Sequence, residues 1–341
     1  MEGLFKLSTY NFELPQELIA QYPAQKRDES RLLVIHRKPF KLEHRLFRDV
    51  VDYFEPGDVL VLNKSKVIKA RLFVHRKTGG KVELLVVHIR DERTFEALAK
   101  PGRKAKPDEV LFVGDHRLRV LERLEDGKRL VEIETDTNIW ELLEGYGRPP
   151  LPPYIRREPL PEDEERYQTV FAEVPGSIAA PTAGLHFTVE LLNRLKEKGV
   201  RICYVILHVG VGTFKPIRVE DIRQHKMDPE YFEIPDETAE AVLEAKSSGH
   251  RVTLCGTTVT RSMETWALGE GPQKGWTSLF IHPPFKFKVA DRLITNFHLP
   301  KSTPLILTAA FAGLENVLRA YKEAIRRKYR FFSYGDATLV V

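Results

Sequence analysis

Residues 250–266 read HRVTLCGTTVTRSMETW, and the succession of residue types within them decides the architecture. RVTLC is a short apolar run rich in β-branched residues, as a buried strand requires. Gly256 punctuates it, and TTVTRSMETW then carries apolar residues at helical spacing. Strands alternating with helices in this way build a substantially parallel sheet.

The alternation extends in both directions. Upstream, TVELLNRLKEKG (188–199) reads as a helix stopped by Gly199, RICYVILHVG (201–210) as a strand, and PDETAEAVLEAKSSG (235–249) as a helix capped by Asp236. Downstream, ADRLITNFH (290–298) is a strand and LILTAAFAG (305–313) and LENVLRAYKEAIRRK (314–328) are helical. YRFFSYGDATLVV (329–341) is extended. Residues 64–148 have a different texture. ARLFVHR, KVELLVVHIR, TFEALAK, EVLFVG, RLRVLERL and RLVEIETD are six short strands parted by turn signals such as Asp126-Gly127, the pattern of a small β-barrel. The cluster RPPLPPY (148–154) stiffens the exit from it. The expected fold is therefore α/β: a mixed, largely parallel sheet domain with helices (1–63 and 149–341), interrupted by an inserted β-barrel domain (64–148).

The 341 residues exceed the usual single-core size, and a composition of 42% hydrophobic and 30% charged residues is that of a globular protein without a bilayer-spanning run. The N-terminus MEGLFKLSTYNFELP lacks a secretory pattern, and Cys203 and Cys255 sit in apolar runs. A cytoplasmic location and buried thiols are expected, with no membrane partner. The abundance of Lys, Arg and Glu over Asn and Gln fits a protein built for high temperature. A formal charge of +5 is compatible with a polyanionic partner.

Ligands of α/β sheets collect where strands end and helices begin. Three strand ends carry polar punctuation: His208, Gly210, Gly212 and Thr213 after RICYVIL; Thr257 and Thr258, with Arg261 one turn on; and Asn296 and His298, followed by Lys301-Ser302-Thr303. SIAAPTAGLHFT (177–188) belongs with them. If Thr188 caps the following helix, Ser177, Thr182 and the backbone of Ala183 and Gly184 are left for an anionic ligand group, and His186 for proton transfer. The turns of the barrel are basic, with Arg76-Lys77 at one tip and Arg103, Lys104 and Lys106 at another, a surface suited to tracking phosphates. No P-loop, dinucleotide fingerprint, zinc spacing or GxSxG elbow is present, so the chemistry must come from His, Thr, Asn, Arg and backbone amides.

GSIAAPTAGLHFT, HVGVGTFKPI, DIRQHKMDPEYF, LCGTTVTRSMET, LITNFHLPKST and YRFFSYGDA, with FELPQELIAQYP and FEPGDVLVLNKSKVIKARL before them, resemble the S-adenosylmethionine:tRNA ribosyltransferase-isomerase family of queuosine biosynthesis, in order and over nearly the whole chain. The resemblance implies transfer and isomerisation of the ribosyl part of S-adenosylmethionine onto 7-aminomethyl-7-deazaguanine at the tRNA wobble position. Epoxyqueuosine, adenine and methionine are the products. S-adenosylmethionine is then a consumed cosubstrate; no prosthetic group or metal is implied, and the partner is the anticodon stem-loop.

That chemistry needs a base for the carbon beside the sulfonium and a proton for departing adenine, roles that His186, His208 and His298 could fill. Thr182 and its neighbouring amides could hold a carboxylate; Thr257, Thr258 and Arg261 ribose or phosphate; Asp336 an amine; Tyr334 or Phe214 could stack on a base. The chain departs from the family pattern at Asp228, where a second histidine is usual, and at Pro283-Pro284-Phe285. A non-catalytic RNA-binding protein and a small-molecule transferase are the competing readings, and a monomer is expected because no element reads as a dimer seam.

Overall fold

The computed structural model describes residues 2–124, 126–210, 212, 215–269 and 273–341. The chain opens with β1 (Arg31–Arg37), β2 (Phe40–Leu46), β3 (Val59–Asn63) and β4 (Ser65–Val67). It then enters the barrel: β5 (Arg71–Arg76), β6 (Lys81–Ile89), β7 (Thr94–Lys100), β8 (Val110–Val113), β9 (His116–Arg123), β10 (Arg129–Ile133), helix α1 (Ile139–Tyr146) and β11 (Gly147–Arg148). All barrel pairings are antiparallel, and β5 closes the ring by pairing with β8. Closure removes the edges that would otherwise template other strands. The barrel core is filled by inward residues such as Leu72, Val74, Leu84, Phe95, Leu118 and Val131, and is sealed below by Leu142 and Leu143 of α1.

Beyond the barrel come α2 (Asp163–Arg166), β12 (Val174–Ser177), α3 (Val189–Glu197), β13 (Arg201–Leu207), β14 (Glu230–Glu233), α4 (Asp236–Ser247), β15 (Val252–Cys255), α5 (Thr257–Ala267), β16 (Lys274–Thr277), β17 (Arg292–Asn296), α6 (Thr303–Ala312), α7 (Leu314–Arg326) and β18 (Ala337–Val340). The nine-stranded sheet has the order β16-β14-β13-β3-β15-β17-β18-β1-β2. Its centre, β13-β3-β15-β17, is parallel, as is β18 beside β1. The other four neighbours pair antiparallel, β17 and β18 among them although α6 and α7 lie between them in the chain. Thr188 caps α3 as its sequence indicates, accepting from the Leu191 amide at 3.1 Å. Asp236 instead occupies the first turn of α4, behind Pro235.

Strand alternation sends the two faces of this sheet into two cores. Val59 and Val61 join the layer covered by α4 to α7, whereas Leu60 and Leu62 join the layer of α3 and the turn Phe47–Tyr53. Leu293 and Ile294 of β17 divide in the same way. A separate parallel ribbon, β4 with β12, stands between sheet and barrel and pairs Val174 with Ser65 and Ser177 with Val67.

Candidate active site at the strand ends

The four central parallel strands end on one edge of the sheet, so in spatial order His208, Asn63, Gly256 and Asn296 line a rim. Gly256 adopts φ +94°, which lets the chain turn from β15 into α5, and a Cβ there would already touch Ala183 at 3.5 Å. The loop 177–188 thus closes over the rim.

One corner is built around His208. Its Nδ1 lies 2.8 Å from Ser65 Oγ, which is 2.6 Å from Ser177 Oγ; Ser177 in turn accepts from the Val209 amide at 2.9 Å. The ring stacks on Tyr231 with centroids 5.9 Å apart at 20°, and Gly176 passes so near that a Cβ would lie 2.6 Å from the imidazole. The half-buried ring loses hydration, which lowers its pKa against the opposing pull of Glu233. Its Nε2 has no hydrogen-bond partner among the described residues. The two hydroxyls can give the Nδ1 bond either polarity, so Nε2 can present a lone pair or a proton.

The opposite corner is closed. His186 is buried; its Nδ1 meets Ser30 Oγ at 2.6 Å and its Nε2 meets Asn296 Nδ2 at 3.1 Å, while the ring stacks on Phe47 at 4.9 Å. Thr182 donates to Asn296 Oδ1 at 2.9 Å, which orients the amide so that its nitrogen donates to His186. Burial, aided by Arg330 and Arg27, lowers the His186 pKa to about 3, so the ring is neutral and both nitrogens are engaged. Residues Thr182–His186 form a 3-10 turn rather than leading directly into α3, and the Gly184 amide is used within it, bonded to Pro181 O at 2.9 Å. The leading amides, Thr182 and Ala183, precede that first internal bond.

Between the corners, Asn63 fixes the edge: Oδ1 accepts from the Leu207 and Ser65 amides and Nδ2 reaches Leu207 O at 2.9 Å and Thr258 Oγ1 at 3.5 Å. Thr257 and Thr258 line, with Met227 and Thr303, a small recess between the first turns of α5 and α6.

Several residues expected at the rim have other work. Arg261 is buried under it in an ion pair with Glu230, with Nε on Leu279 O at 3.0 Å. Glu230 also accepts from the Gly210 amide at 2.8 Å, so the pair braces the glycine loop from beneath, while Arg261 also lines the recess of Thr257 and Thr258. His298 bonds Thr295 Oγ1 at 2.9 Å and its amide donates to Tyr321. By alternation Thr295 faces the α6–α7 layer, across the sheet from His186. Tyr334 is buried and donates to Asp163 at 2.7 Å, and with Arg27, Ser30 and His186 it lines a recess too small for a base. Asp336 is buried against the Arg31 and Arg330 amides and the Arg31 guanidinium, so it has no site for an amine. Thr213 and Phe214 lie outside the described residues.

The basic turns of the barrel do converge: Arg76 and Lys104 both come within 3.6 Å of a Cβ placed on Gly80. Arg76, however, is held bidentate by Glu109 at 2.7 and 2.8 Å, whereas Lys77, Arg103 and Lys106 are exposed. This tip lies at the start of β6; His88, near its end, meets Trp276 of the sheet. The seven residue steps from Lys81 to His88 put the tip roughly 23 Å from that junction. A cavity of about 480 Å³ opens behind the β4–β12 ribbon, lined by Lys66, Lys69, Trp140, Tyr167 and Gln168 among others. Among the described residues, no group of three or more His, Cys, Asp or Glu is placed to hold a metal, and no helix is long and apolar enough to cross a membrane.

Sequence pattern alone does not single out Ser30, Asn63 or Ser65. The strand-end rule reaches Asn63 and Ser65 only when VLVLNKS is set beside the later strands; no local signal marks Ser30.

The model of the queuosine biosynthesis protein family matches residues 7–340. The chain is 50% identical over 340 residues to the S-adenosylmethionine:tRNA ribosyltransferase-isomerase of Thermotoga maritima, covering 98% of this chain and 100% of that one. The proteins of the same name from a Sulfurihydrogenibium species and Clostridioides difficile are 50% and 47% identical, over 98% of this chain and 100% and 99% of theirs. The crystal structure of the Thermotoga maritima S-adenosylmethionine tRNA ribosyltransferase aligns with a TM-score of 0.57 at 39% identity, covering 98% of this chain and 100% of that one.

Proposed function

The chain belongs to the queuosine biosynthesis protein family, and from that premise we propose that its strand-end rim transfers and isomerises the ribosyl moiety of S-adenosylmethionine onto 7-aminomethyl-7-deazaguanine at the wobble position of tRNA. The product is epoxyqueuosine-tRNA, with adenine and methionine released. The chain is thus a transferase and an isomerase, and S-adenosylmethionine is its consumed cosubstrate. Catalysis is assigned to residues 1–63 and 149–341 and RNA holding to the inserted 64–148 barrel, working as a cytoplasmic monomer in a heat-adapted protein. Free Cys203 and Cys255 are in keeping with a reducing compartment.

His208 carries the reading. Of His186 and His208 it is the one with a ring nitrogen that no described residue occupies, and its depressed pKa keeps it neutral near pH 7, as a general base must be. Nε2 takes the proton from the carbon beside the sulfonium, which the positive sulfur acidifies, and Ser65 with Ser177 supports the imidazolium or the alternate tautomer at Nδ1. The same ring can return a proton to departing adenine. Thr182 and the Ala183 amide, with Thr257 and Thr258 across the rim, are assigned to the polar ends of the cosubstrate, and His186 positions Asn296 rather than moving protons.

The test is incubation with S-adenosylmethionine labelled in the ribose and an anticodon stem-loop carrying the aminomethyl base. Ribosyl label is expected in RNA, with one adenine formed per label. Label entering RNA from the methyl group alone, without adenine, would overturn the assignment.

A further inference from the structure

Trp276 is 60% exposed, on β16 at the outer edge of the nine-stranded sheet. An isolated exposed aromatic needs no explanation, but this one is the end of a ladder. It sits directly across from Tyr231 in the β14–β16 register, with ring centroids 5.8 Å apart at 72°. Tyr231 is in turn stacked on His208 at 5.9 Å, and its carbonyl accepts the His208 amide at 3.0 Å. Three adjacent chain segments therefore present His208, Tyr231 and Trp276 on one face. The alternate residues, Glu230 and Phe232, point the other way, to Arg261 and the core. No helix covers the aromatic face among the described residues. The barrel reaches it through His88, whose ring meets Trp276 at 6.1 Å and 63°.

We propose that Trp276, oriented by Tyr231 and His88, is the stacking platform for the nucleobase next to the modified one in the RNA substrate. The inference rests on the RNA-modifying function given above. A target base held at His208 leaves its strand neighbour two ring-to-ring steps away, where Trp276 offers a π-face that accepts any base. Stacking of this kind is sequence-tolerant and needs no hydrogen-bond code. The ladder continues directly from the corner assigned to proton transfer, so a base stacked at its outer end also sets the depth at which the target enters. Edge-on contacts with Tyr231 and His88 hold the indole before RNA arrives, which lowers the ordering cost of binding.

The experiment uses the full chain and an anticodon stem-loop with the aminomethyl base, measured as adenine release against RNA concentration. Trp276→Ala is expected to raise the KM for RNA about 10-fold, with kcat changed less than about 3-fold, and Trp276→Phe to recover most of the loss. The dependence of KM on salt should keep its slope, because no phosphate contact is removed. Two further RNAs carry an abasic residue on the 5′ or the 3′ side of the target. One of them is expected to bind the unsubstituted protein as weakly as the intact RNA binds Trp276→Ala, and to be weakened no further by that substitution.

An unchanged KM for Trp276→Ala, or an equal additional loss with both abasic RNAs, overturns the platform. If the substitution instead dissociates a dimer in sedimentation without altering KM, the face belongs to a second copy of this chain. Adenine release by the unsubstituted protein is the internal control. Its absence would count against the proposed function itself, and its presence makes any Trp276 result bear on the platform alone.

Discussion

His186 and His208 are set at opposite ends of one rim and are built alike. Each bonds a serine hydroxyl through Nδ1, at 2.6 Å to Ser30 and 2.8 Å to Ser65, and each stacks on an aromatic ring, Phe47 or Tyr231. They differ at Nε2. In His186 it meets the Asn296 amide, whereas in His208 no described residue occupies it. The difference leaves one ring with both nitrogens engaged and the other with one nitrogen open, and residue type and strand-end position do not reveal it.

The sharpest way to break the comparison is to remove each ring. His208→Ala is expected to slow single-turnover adenine release about 10²- to 10⁴-fold while the thermal midpoint moves little. His186→Ala should do the reverse: a cavity and unpaired polar groups at Ser30 and Asn296 cost about 2–5 kcal/mol in denaturant unfolding. Comparable rate losses in the two variants, with no loss of stability in His186→Ala, would dissolve the distinction.

Acid sharpens it next. Burial lowers the His186 and His298 pKa values to about 3 in the folded chain, against about 6.5 when unfolded. Between those values the unfolded chain binds more protons. Stability is therefore fully present above pH 6.5 and is lost as pH falls towards 3, at up to about 1.4 kcal/mol per pH unit for each ring. Urea titrations at stepped pH should show this acid limb, less steep in His186→Gln. An equally steep limb in that variant would remove His186 as a source of the acid sensitivity.

Ser65→Ala tests the open corner more gently. Loss of the Nδ1 partner should lower the single-turnover rate about 10-fold, shift the acid side of the rate profile and cost about 1 kcal/mol of stability. The smallest effect on chemistry is expected at the distant barrel tip. Alanine at Lys77, Arg103 and Lys106 together should leave the rate at saturating RNA unchanged and reduce the salt slope of RNA binding by about 0.7–0.9 for each phosphate no longer neutralised. An unaltered slope would take RNA off that tip.

The alternation of strand and helix after residue 188 and the six barrel strands were legible because hydrophobic period and turn residues are local properties. The rim was legible too, since strand ends bear polar residues for reasons of topology. What could not be read was which polar group already had a partner. Arg261 pairs with Glu230 across 31 residues, Tyr334 with Asp163 across 171, and Asp336 with Arg31 across 305. Each became a structural contact through a meeting that no window of sequence contains. The bond of His298 to Thr295, whose side chain faces the α6–α7 layer, is likewise invisible in residue type. The strand KGWT, with one large apolar residue in four, has no period from which Trp276 could have been located.

The ribbon of β4 and β12 has a mechanical consequence. Ser65 opens β4, which only Ile68, Lys69 and Ala70 separate from the first barrel strand, and Ser177 closes the strand paired with it. The barrel is thus tied, with little slack in the chain, to the hydroxyl pair that meets His208 Nδ1.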